Sequence, residues 1–214
     1  MPRIVDEATR QATRERILRQ AAKDFAQLGF DQANINYIAD HAGIGRGTIY
    51  LYFESKRDVF IAMLQAIAER QLAAAQAALG EGSTLQERLK ALLLAFLRLA
   101  TEDADGFHVY MSALYGVNRA FQNEALGLLR EYISLLRETL SDMLSPHARG
   151  RGDLDAAALF VLSATESLVL TARVLGYSEQ RLAEMSSAIA DFILPGLDHP
   201  EQHQISPLPS DDGV

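Results

Sequence analysis

The chain has 214 residues, of which 49% are hydrophobic, and its formal net charge is −8. This length can bury a sizeable core, in one large domain or two small ones. The absence of cysteine excludes disulfides and cysteine-ligated metal sites and is typical of proteins from a reducing cytoplasm. We expect a soluble cytoplasmic protein with no membrane partner. The N-terminus lacks the apolar run of a signal peptide, and apolar stretches such as 156–164 are shorter than the roughly 20 residues of a membrane span.

The charge is unevenly distributed along the chain. Residues 1–58 contain nine Lys and Arg against eight Asp and Glu, whereas residues 59–214 contain eleven against twenty. The first 23 residues carry six basic and three acidic side chains. Because affinity for nucleic acid depends on local phosphate contacts, not on whole-chain charge, the N-terminal region is compatible with DNA binding. The acidic remainder would limit non-specific binding to DNA.

The hydrophobic pattern predicts an all-α protein of about nine helices. Four of the six prolines follow residue 194, which leaves the middle of the chain free to be helical. In the first helix, Ile17, Ala21, Phe25 and Leu28 recur three or four residues apart and form one apolar stripe, and Gly29 is a candidate C-cap. The predicted helices cover residues 9–28, 34–41, 46–53, 56–79, 84–101, 107–115, 120–144, 153–175 and 178–194.

The segment 34–53 has the pattern of a helix-turn-helix. Asn34 is a good N-cap for the first short helix. Ala39 is small enough for two helices to meet closely, and Gly43 tolerates the positive φ that a tight turn requires. The apolar side chains expected to lock the two helices together are Ile38, Ile44 and Ile49.

In such a motif the second helix lies in the major groove of DNA, with its N-terminal residues at base edges. Arg46 can reach a guanine edge or a phosphate, and Gly47 permits close approach of the backbone. Thr48 can contact a phosphate or a thymine methyl group. The hydroxyl groups of Tyr50 and Tyr52 can donate to phosphates.

The run IADHAGIGRGTIYLYFESKRDVF, preceded by a basic first helix that ends in Gly29-Phe30, resembles the DNA-binding domain of the TetR/AcrR family. The resemblance covers about residues 11–71, because the Ala-Gly turn, the Gly-Thr-x-Tyr-x-Tyr-Phe run and the Ser-Lys start of the fourth helix occur together at the family's spacing. It implies a homodimeric repressor that a small ligand releases from DNA. The positions that match the family's DNA contacts are Asn34, Arg46, Thr48, Tyr50, Tyr52 and Lys56.

Two positions of the recognition helix depart from the family's pattern. The family often has Ser or Thr where this chain has Gly45, which weakens the N-cap by at most a few tenths of a kcal/mol and removes one phosphate donor. Between the tyrosines the family often has a polar residue, whereas Leu51 offers only apolar contact. We count Gly47 and Leu51 among the expected DNA contacts. The departures leave the operator sequence open.

The predicted organisation is an N-terminal three-helix DNA-binding domain at 11–71, with its motif at 34–53, followed by a larger ligand-binding and dimerisation domain at 72–196. The helix at 56–79 begins beside the short helices and ends beyond them, so it is expected to connect the two domains. Residues 197–214 are polar and contain proline, and we expect them to be a disordered tail.

The last two predicted helices are apolar on more than one face. Residues 156–162 are all apolar, and such a helix must be buried on more than one side. Two-fold pairing with a second copy would bury it in a four-helix interface and place two recognition helices on a palindromic operator in double-stranded DNA. The alternative is a single-domain core. The expected interface residues are Leu159, Phe160, Leu162, Ala164, Leu168, Met185, Ile189 and Phe192.

An effector pocket is expected within residues 84–175. Family members that respond to fatty acyl-CoA share the run GTIYLYF and the helix layout, but this similarity lies largely in the DNA-binding half. We expect a small, mainly apolar effector, such as fatty acyl-CoA or another lipophilic molecule. The candidate lining residues, each of which also fits an ordinary core or surface role, are Phe96, Phe107, His108, Tyr110, Met111, Tyr115, Phe121, Thr165, Glu166 and Arg173.

Two other classes of function fit the sequence less well. An enzyme would need a nucleophile, a metal set or a phosphate-binding loop, and the five histidines form no HExxH-like pair. We therefore expect no catalytic residues, no metal and no cofactor. The remaining alternative is a helical adaptor protein that kept the fold without DNA binding. Arg46, Thr48 and the two tyrosines argue against it.

Overall fold

The computed structural model describes residues 6–116, 120–144, 153–178, 180–181, 183–188 and 191. This part of the chain is helical and contains no strand, which confirms the all-α prediction. Residues 180–181 and 183–188 are helical within the last predicted helix, and the predicted tail lies outside the described residues. The numbered helices are α1 (Glu7–Gln32), α2 (Ile35–His41), α3 (Arg46–Ile49), α4 (Lys56–Gly80), α5 (Leu85–Glu102), α6 (Ala104–Tyr115), α7 (Gln122–Met143) and α8 (Leu154–Leu175).

The first helix begins earlier than predicted, and a short helical turn follows its predicted end. Asp6 caps it, because one carboxylate oxygen accepts a hydrogen bond from the backbone N–H of Thr9 at 2.7 Å. Gly29 adopts φ 72° and ψ 168° as a kink inside α1, and a further turn follows it. Helical geometry is thus interrupted at Gly29, where the sequence predicts the C-cap, and residues 30–32 form a separate short turn. Leu28 beside this bend is exposed, so the buried stripe ends at Phe25.

The recognition helix α3 is shorter than the predicted 46–53. After Ile49 the backbone N–H groups of Leu51 and Tyr52 donate to the carbonyls of Thr48 and Ile49, each at 3.0 Å. These bonds span three residues instead of four, which tightens the chain out of α-helical geometry. Residues 50–52 are therefore a turn that continues the recognition helix.

Helix α6 begins earlier than the predicted 107. Asp103 caps it by accepting a hydrogen bond from the backbone N–H of Gly106 at 3.0 Å. Residues 104–106, which lie outside the predicted helices, form its first turn. A polar, glycine-containing segment therefore starts a helix here because an aspartate satisfies one of its free N–H groups.

The chain forms two compact units. The first comprises Met1–Ala77 and Ala95–Tyr132, and the second comprises Ala78–Leu94 and Ile133–Val214. This division differs from the predicted boundary between residues 71 and 72. Helix α6 packs against α1, which brings the middle of the chain to the N-terminal helices.

Four phenylalanines form an aromatic cluster in the first unit. Two lie on either side of the kink in α1, one lies on α4 and one lies in the segment before α7. Phe60 lies edge-on to Phe25, with ring centroids 4.9 Å apart. Phe121 lies 4.7 Å from Phe30 and 4.2 Å from Phe60. Contacts at these separations add to the free energy gained by burying the rings.

The side chain of Lys56 joins the first residue of α4 to the end of α1. Its ammonium group donates to the backbone carbonyls of Phe30, Asp31 and Ala33 at 2.7, 3.0 and 2.9 Å, and it lies 4.6 Å from the centre of the Phe30 ring. An ammonium has three N–H donors, so these bonds use all of them. A cation is also favourable at a helix C-terminus, where carbonyls lack helical partners.

In the second unit, buried aliphatic side chains of α5, α7 and α8 form the core. Leu92, Leu136, Leu140 and Val169 are among them. Residues Leu154–Ala172 of α8 are long and apolar enough to cross a membrane by length and composition alone. This stretch of 19 residues is longer than the sequence analysis expected. The core helix of a soluble protein meets the same two criteria.

Replacing Lys56 by methionine should lower the free energy of unfolding by about 1.5–3 kcal/mol, because hydrogen bonds to a charged group are lost and three carbonyls lose their partner. Lys23→Met is the matched control, since Lys23 is an exposed lysine on α1. Denaturant unfolding measures both variants. Equal stabilities for the two would contradict this role of Lys56.

Candidate nucleic-acid interface

The helix-turn-helix forms from the residues that the sequence predicts. Asn34 caps α2, because its side-chain oxygen accepts a hydrogen bond from the backbone N–H of Asn36 at 2.8 Å. Gly43 has φ 66° in the turn. Ala39 and Ile49 are fully buried where α2 meets α3. This packing fixes α3 against α2 and directs the other face of the motif to solvent.

That exposed face carries large side chains. Tyr37 is 55% exposed, Tyr50 49% and Leu51 74%. Tyr37 was not among the predicted contacts, although it lies about 100° around α2 from the buried Ile38 and is therefore off the buried face. Several large exposed aromatic and apolar side chains within one short motif are typical of a binding surface.

Arg46, the first residue of α3, forms an ion pair with Asp40 of α2. Its Nε lies 3.1 Å from both carboxylate oxygens, and its Nη2 lies 2.6 Å from one of them. The hydrogen bonds from Arg46 lower the pKa of the Asp40 carboxyl, and the same contact raises the pKa of Arg46. Both side chains are exposed, 61% for Arg46 and 42% for Asp40. No pattern in the sequence predicts this pair.

Two glycines flank Arg46. Gly45 caps α3 without a side-chain hydrogen bond, as its lack of a side chain predicts. Gly47 lies within α3, has no positive φ, and a Cβ built there would meet nothing within 4 Å. Nothing described within the protein requires a glycine at 47, although glycine costs a helix about 1 kcal/mol relative to alanine.

The other predicted DNA contacts differ in exposure. Asn34 is exposed, whereas Thr48 and Tyr52 are half-buried. Phe53 is buried, as expected of a core residue, with the Arg14 guanidinium 5.6 Å from its ring centre. Lys56 has the structural role described above, and a phosphate contact would require it to leave its three carbonyls.

Two of the predicted effector contacts line one cavity. His108 and Phe121 border a space of about 410 Å³ in the first unit, together with Phe25, Phe30 and Phe60. A second cavity of about 450 Å³ in the same unit is lined in part by Arg14, Arg19 and Arg70. The side chain of Arg173 lies outside what the structure describes. The buried members of the predicted set are Phe96, Phe107, Tyr110, Met111, Thr165 and Glu166, and Tyr115 is exposed.

The predicted dimer contacts also divide by exposure. Leu159 and Phe160 are exposed on α8, whereas Leu162 is buried within its own protomer and has almost no area to offer a partner. Ala164, Leu168 and Met185 are half-buried. Ile189 and Phe192 lie outside the described side chains.

Residues 17–63 match the family model for bacterial regulatory proteins of the tetR family. Over 182 residues the chain is 22% identical to the fatty acid metabolism regulator protein of Bacillus subtilis, which covers 85% of this chain and 93% of that protein. It is 30% identical over 136 residues to the probable acrEF/envCD operon repressor of Escherichia coli, covering 62% of this chain and 60% of the repressor.

Solved structures share the fold. The fatty acid degradation regulator FadR from Bacillus halodurans superposes with a TM-score of 0.74 at 24% identity, covering 85% of this chain and 98% of that one. FadR from Bacillus subtilis in complex with stearoyl-CoA gives 0.72 at 21% identity, with the same coverage of the two chains. The structures show a shared fold, and the match over residues 17–63 shows that the chain carries the N-terminal domain of the tetR family of bacterial regulatory proteins.

Proposed function

We propose that the protein is a dimeric repressor that binds a palindromic operator in cytoplasmic DNA and is released from it by a lipophilic effector. The observation that carries DNA binding is the exposed face of the helix-turn-helix, where Tyr37, Arg46, Tyr50 and Leu51 all lie in solvent. Tyrosine hydroxyls and an arginine donate to phosphates and base edges, and Leu51 offers apolar contact to a thymine methyl group.

Gly47 supports the same proposal. Neither the backbone conformation nor the packing of the described residues requires a glycine at position 47. We therefore infer that DNA binding requires it. A backbone without a side chain can approach DNA closely at the start of a recognition helix. Glycine therefore lowers the helix propensity of α3 at the position where a side chain would contact the major groove of DNA.

Dimerisation is supported by apolar side chains on α8. Leu159, Phe160, Leu170 and Val174 are exposed, and their spacing places them along one stripe of the helix. Grouped apolar surface of this kind on a protomer is typical of an interface. Pairing through a two-fold axis would cover the stripe on both copies and present two recognition helices to DNA.

A lipophilic effector is supported by the aromatic cavity and by the relatives. The cavity of about 410 Å³ falls in the range of about 300–1,000 Å³ that ligand sites occupy. Phenylalanines form much of its wall, and the exposed His108 adds a polar group. One relative is named for fatty acid metabolism, and one structural neighbour holds stearoyl-CoA. We therefore propose a fatty acyl-CoA as the effector.

The DNA-binding proposal predicts that the protein shifts the promoter duplex upstream of its own gene in a gel, with affinity that falls as salt rises. Arg46→Ala combined with Tyr50→Ala should abolish the sequence-specific shift, because base and phosphate donors are both lost. Specific binding that survives the double substitution would refute the assignment of these residues. A wild-type protein that binds no duplex specifically would favour the adaptor alternative.

Gly47→Ala should raise the stability of the protein and lower its affinity for DNA. Alanine has a higher helix propensity than glycine, and its Cβ would meet no atom within 4 Å. The free energy of unfolding should therefore rise by about 0.5–1 kcal/mol. Affinity for the same duplex should fall, since the new methyl group faces DNA. Denaturant unfolding and fluorescence anisotropy measure the two quantities. Unchanged DNA affinity would show that close approach at residue 47 does not matter.

Phe160→Arg should convert a dimer into monomers in sedimentation velocity, because it places a charge within the exposed stripe. Leu28→Arg is the control, as Leu28 is an exposed apolar residue of the first unit. It should leave the sedimentation coefficient unchanged. A monomeric wild-type protein, or a Phe160→Arg variant that still forms dimers, would contradict the proposed interface.

Stearoyl-CoA should release the protein from its duplex at concentrations where free coenzyme A has no effect, because the proposed recognition is of the acyl chain. His108→Ala should raise the half-release concentration several-fold while leaving DNA affinity without effector unchanged. Fluorescence anisotropy with labelled duplex measures both the half-release concentration and the DNA affinity without effector. Release by free coenzyme A alone would exclude an acyl-chain effector, and an unaffected His108→Ala variant would place the effector in another site.

A further inference from the structure

We propose that Asp40 is a specificity-determining residue, which holds Arg46 so that its guanidinium reads a guanine base and does not bind a phosphate. This inference rests on the proposed DNA binding and goes beyond it, because Asp40 itself need not touch DNA. The structural basis is the edge of the guanidinium that Asp40 occupies.

A guanidinium offers five N–H groups arranged in a rigid plane with distinct edges. Asp40 accepts from Nε and Nη2, which form one side of this plane. The adjacent edge, formed by one N–H of Nη1 and the second N–H of Nη2, is not used by the carboxylate. Two parallel N–H groups in this arrangement match the O6 and N7 acceptors of guanine in the major groove.

The position of the pair suits this role. Arg46 is the first residue of α3, and N-terminal residues of a recognition helix contact base edges. Gly45 and Gly47 on either side carry no side chain to block its path. Because the pair is largely exposed, it contributes little to folding stability. Its effect is instead to restrict a flexible side chain to one orientation before DNA binds, which lowers the entropic cost of an ordered contact.

The carboxylate also disfavours the competing contact. An Arg46 side chain that is not held by Asp40 could bind any nearby phosphate. Such a contact carries no sequence information. The negative charge of Asp40 beside the guanidinium weakens attraction of this site to the phosphate backbone. Both effects of Asp40 therefore raise the ratio of specific to non-specific affinity.

The test begins with a duplex selected from a randomised library by the full-length wild-type protein. Each G·C pair of this duplex is then replaced by A·T, and separately each guanine by 7-deazaguanine, which lacks the N7 acceptor. We expect one guanine position where the wild type loses affinity by about 5- to 140-fold on A·T replacement. At that position Arg46→Ala and Asp40→Ala should both lose most of this discrimination, and Asp40→Ala should bind scrambled duplex more tightly than the wild type.

Two comparisons distinguish positioning from other roles of Asp40. In Asp40→Ala combined with Arg46→Ala, guanine discrimination should equal that of Arg46→Ala alone, because Asp40 acts only through Arg46. Glu54→Ala, which removes an exposed acidic side chain of the same region, should keep the discrimination.

Three results would overturn the inference: full discrimination in Asp40→Ala, additive losses in the double variant, or no guanine that Arg46 discriminates. Failure of the wild-type protein to select any sequence would instead refute the proposed DNA binding.

Discussion

The contact between the Lys56 ammonium and the end of α1 is the constraint on which the DNA-binding surface depends. The three carbonyls that accept its hydrogen bonds lie 23 to 26 residues earlier in the chain. The whole helix-turn-helix lies between these two points, so one side chain closes the loop that contains it. With its ends held, the motif needs only a small core of fully buried residues from α2 and α3, such as Ile38 and Ile49.

The exposed face of the motif follows from the same packing. Each short helix has one apolar face, and once that face is buried the remaining positions point outward as a set. Tyr37 and Asp40 on α2 and Arg46 on α3 therefore share one surface, although they come from two helices. The chemistry of this surface is mixed, because donors, an acceptor and an apolar side chain lie close together. Such a mixture suits base edges better than a uniformly basic surface, which would favour phosphates alone.

Sequence patterns predicted the features that depend on local preferences. The cap at Asn34, the positive φ at Gly43 and the buried aliphatic residues of the motif follow from residue type and spacing. The early end of α3 was missed because helix propensity does not reveal where three-residue hydrogen bonds replace four-residue ones. The role of Lys56 and the pairing of Asp40 with Arg46 depend on which side chains tertiary packing brings within reach. The cavity beside Phe121 includes Phe25 and Phe30, residues that the sequence analysis had assigned to the DNA-binding domain.

Residues 56 and 57 have different partners on the two sides of a single peptide bond. Lys56 holds the carbonyls at the end of α1, while Arg57 donates to Glu124 of α7 at 2.5 Å and lies 4.9 Å from the ring centre of Phe121. The α-carbons of these two residues are thus one peptide step apart, about 3.8 Å. The ion pair that links α4 to the first turn of α7 is therefore adjacent in the chain to the contact that holds the helix-turn-helix.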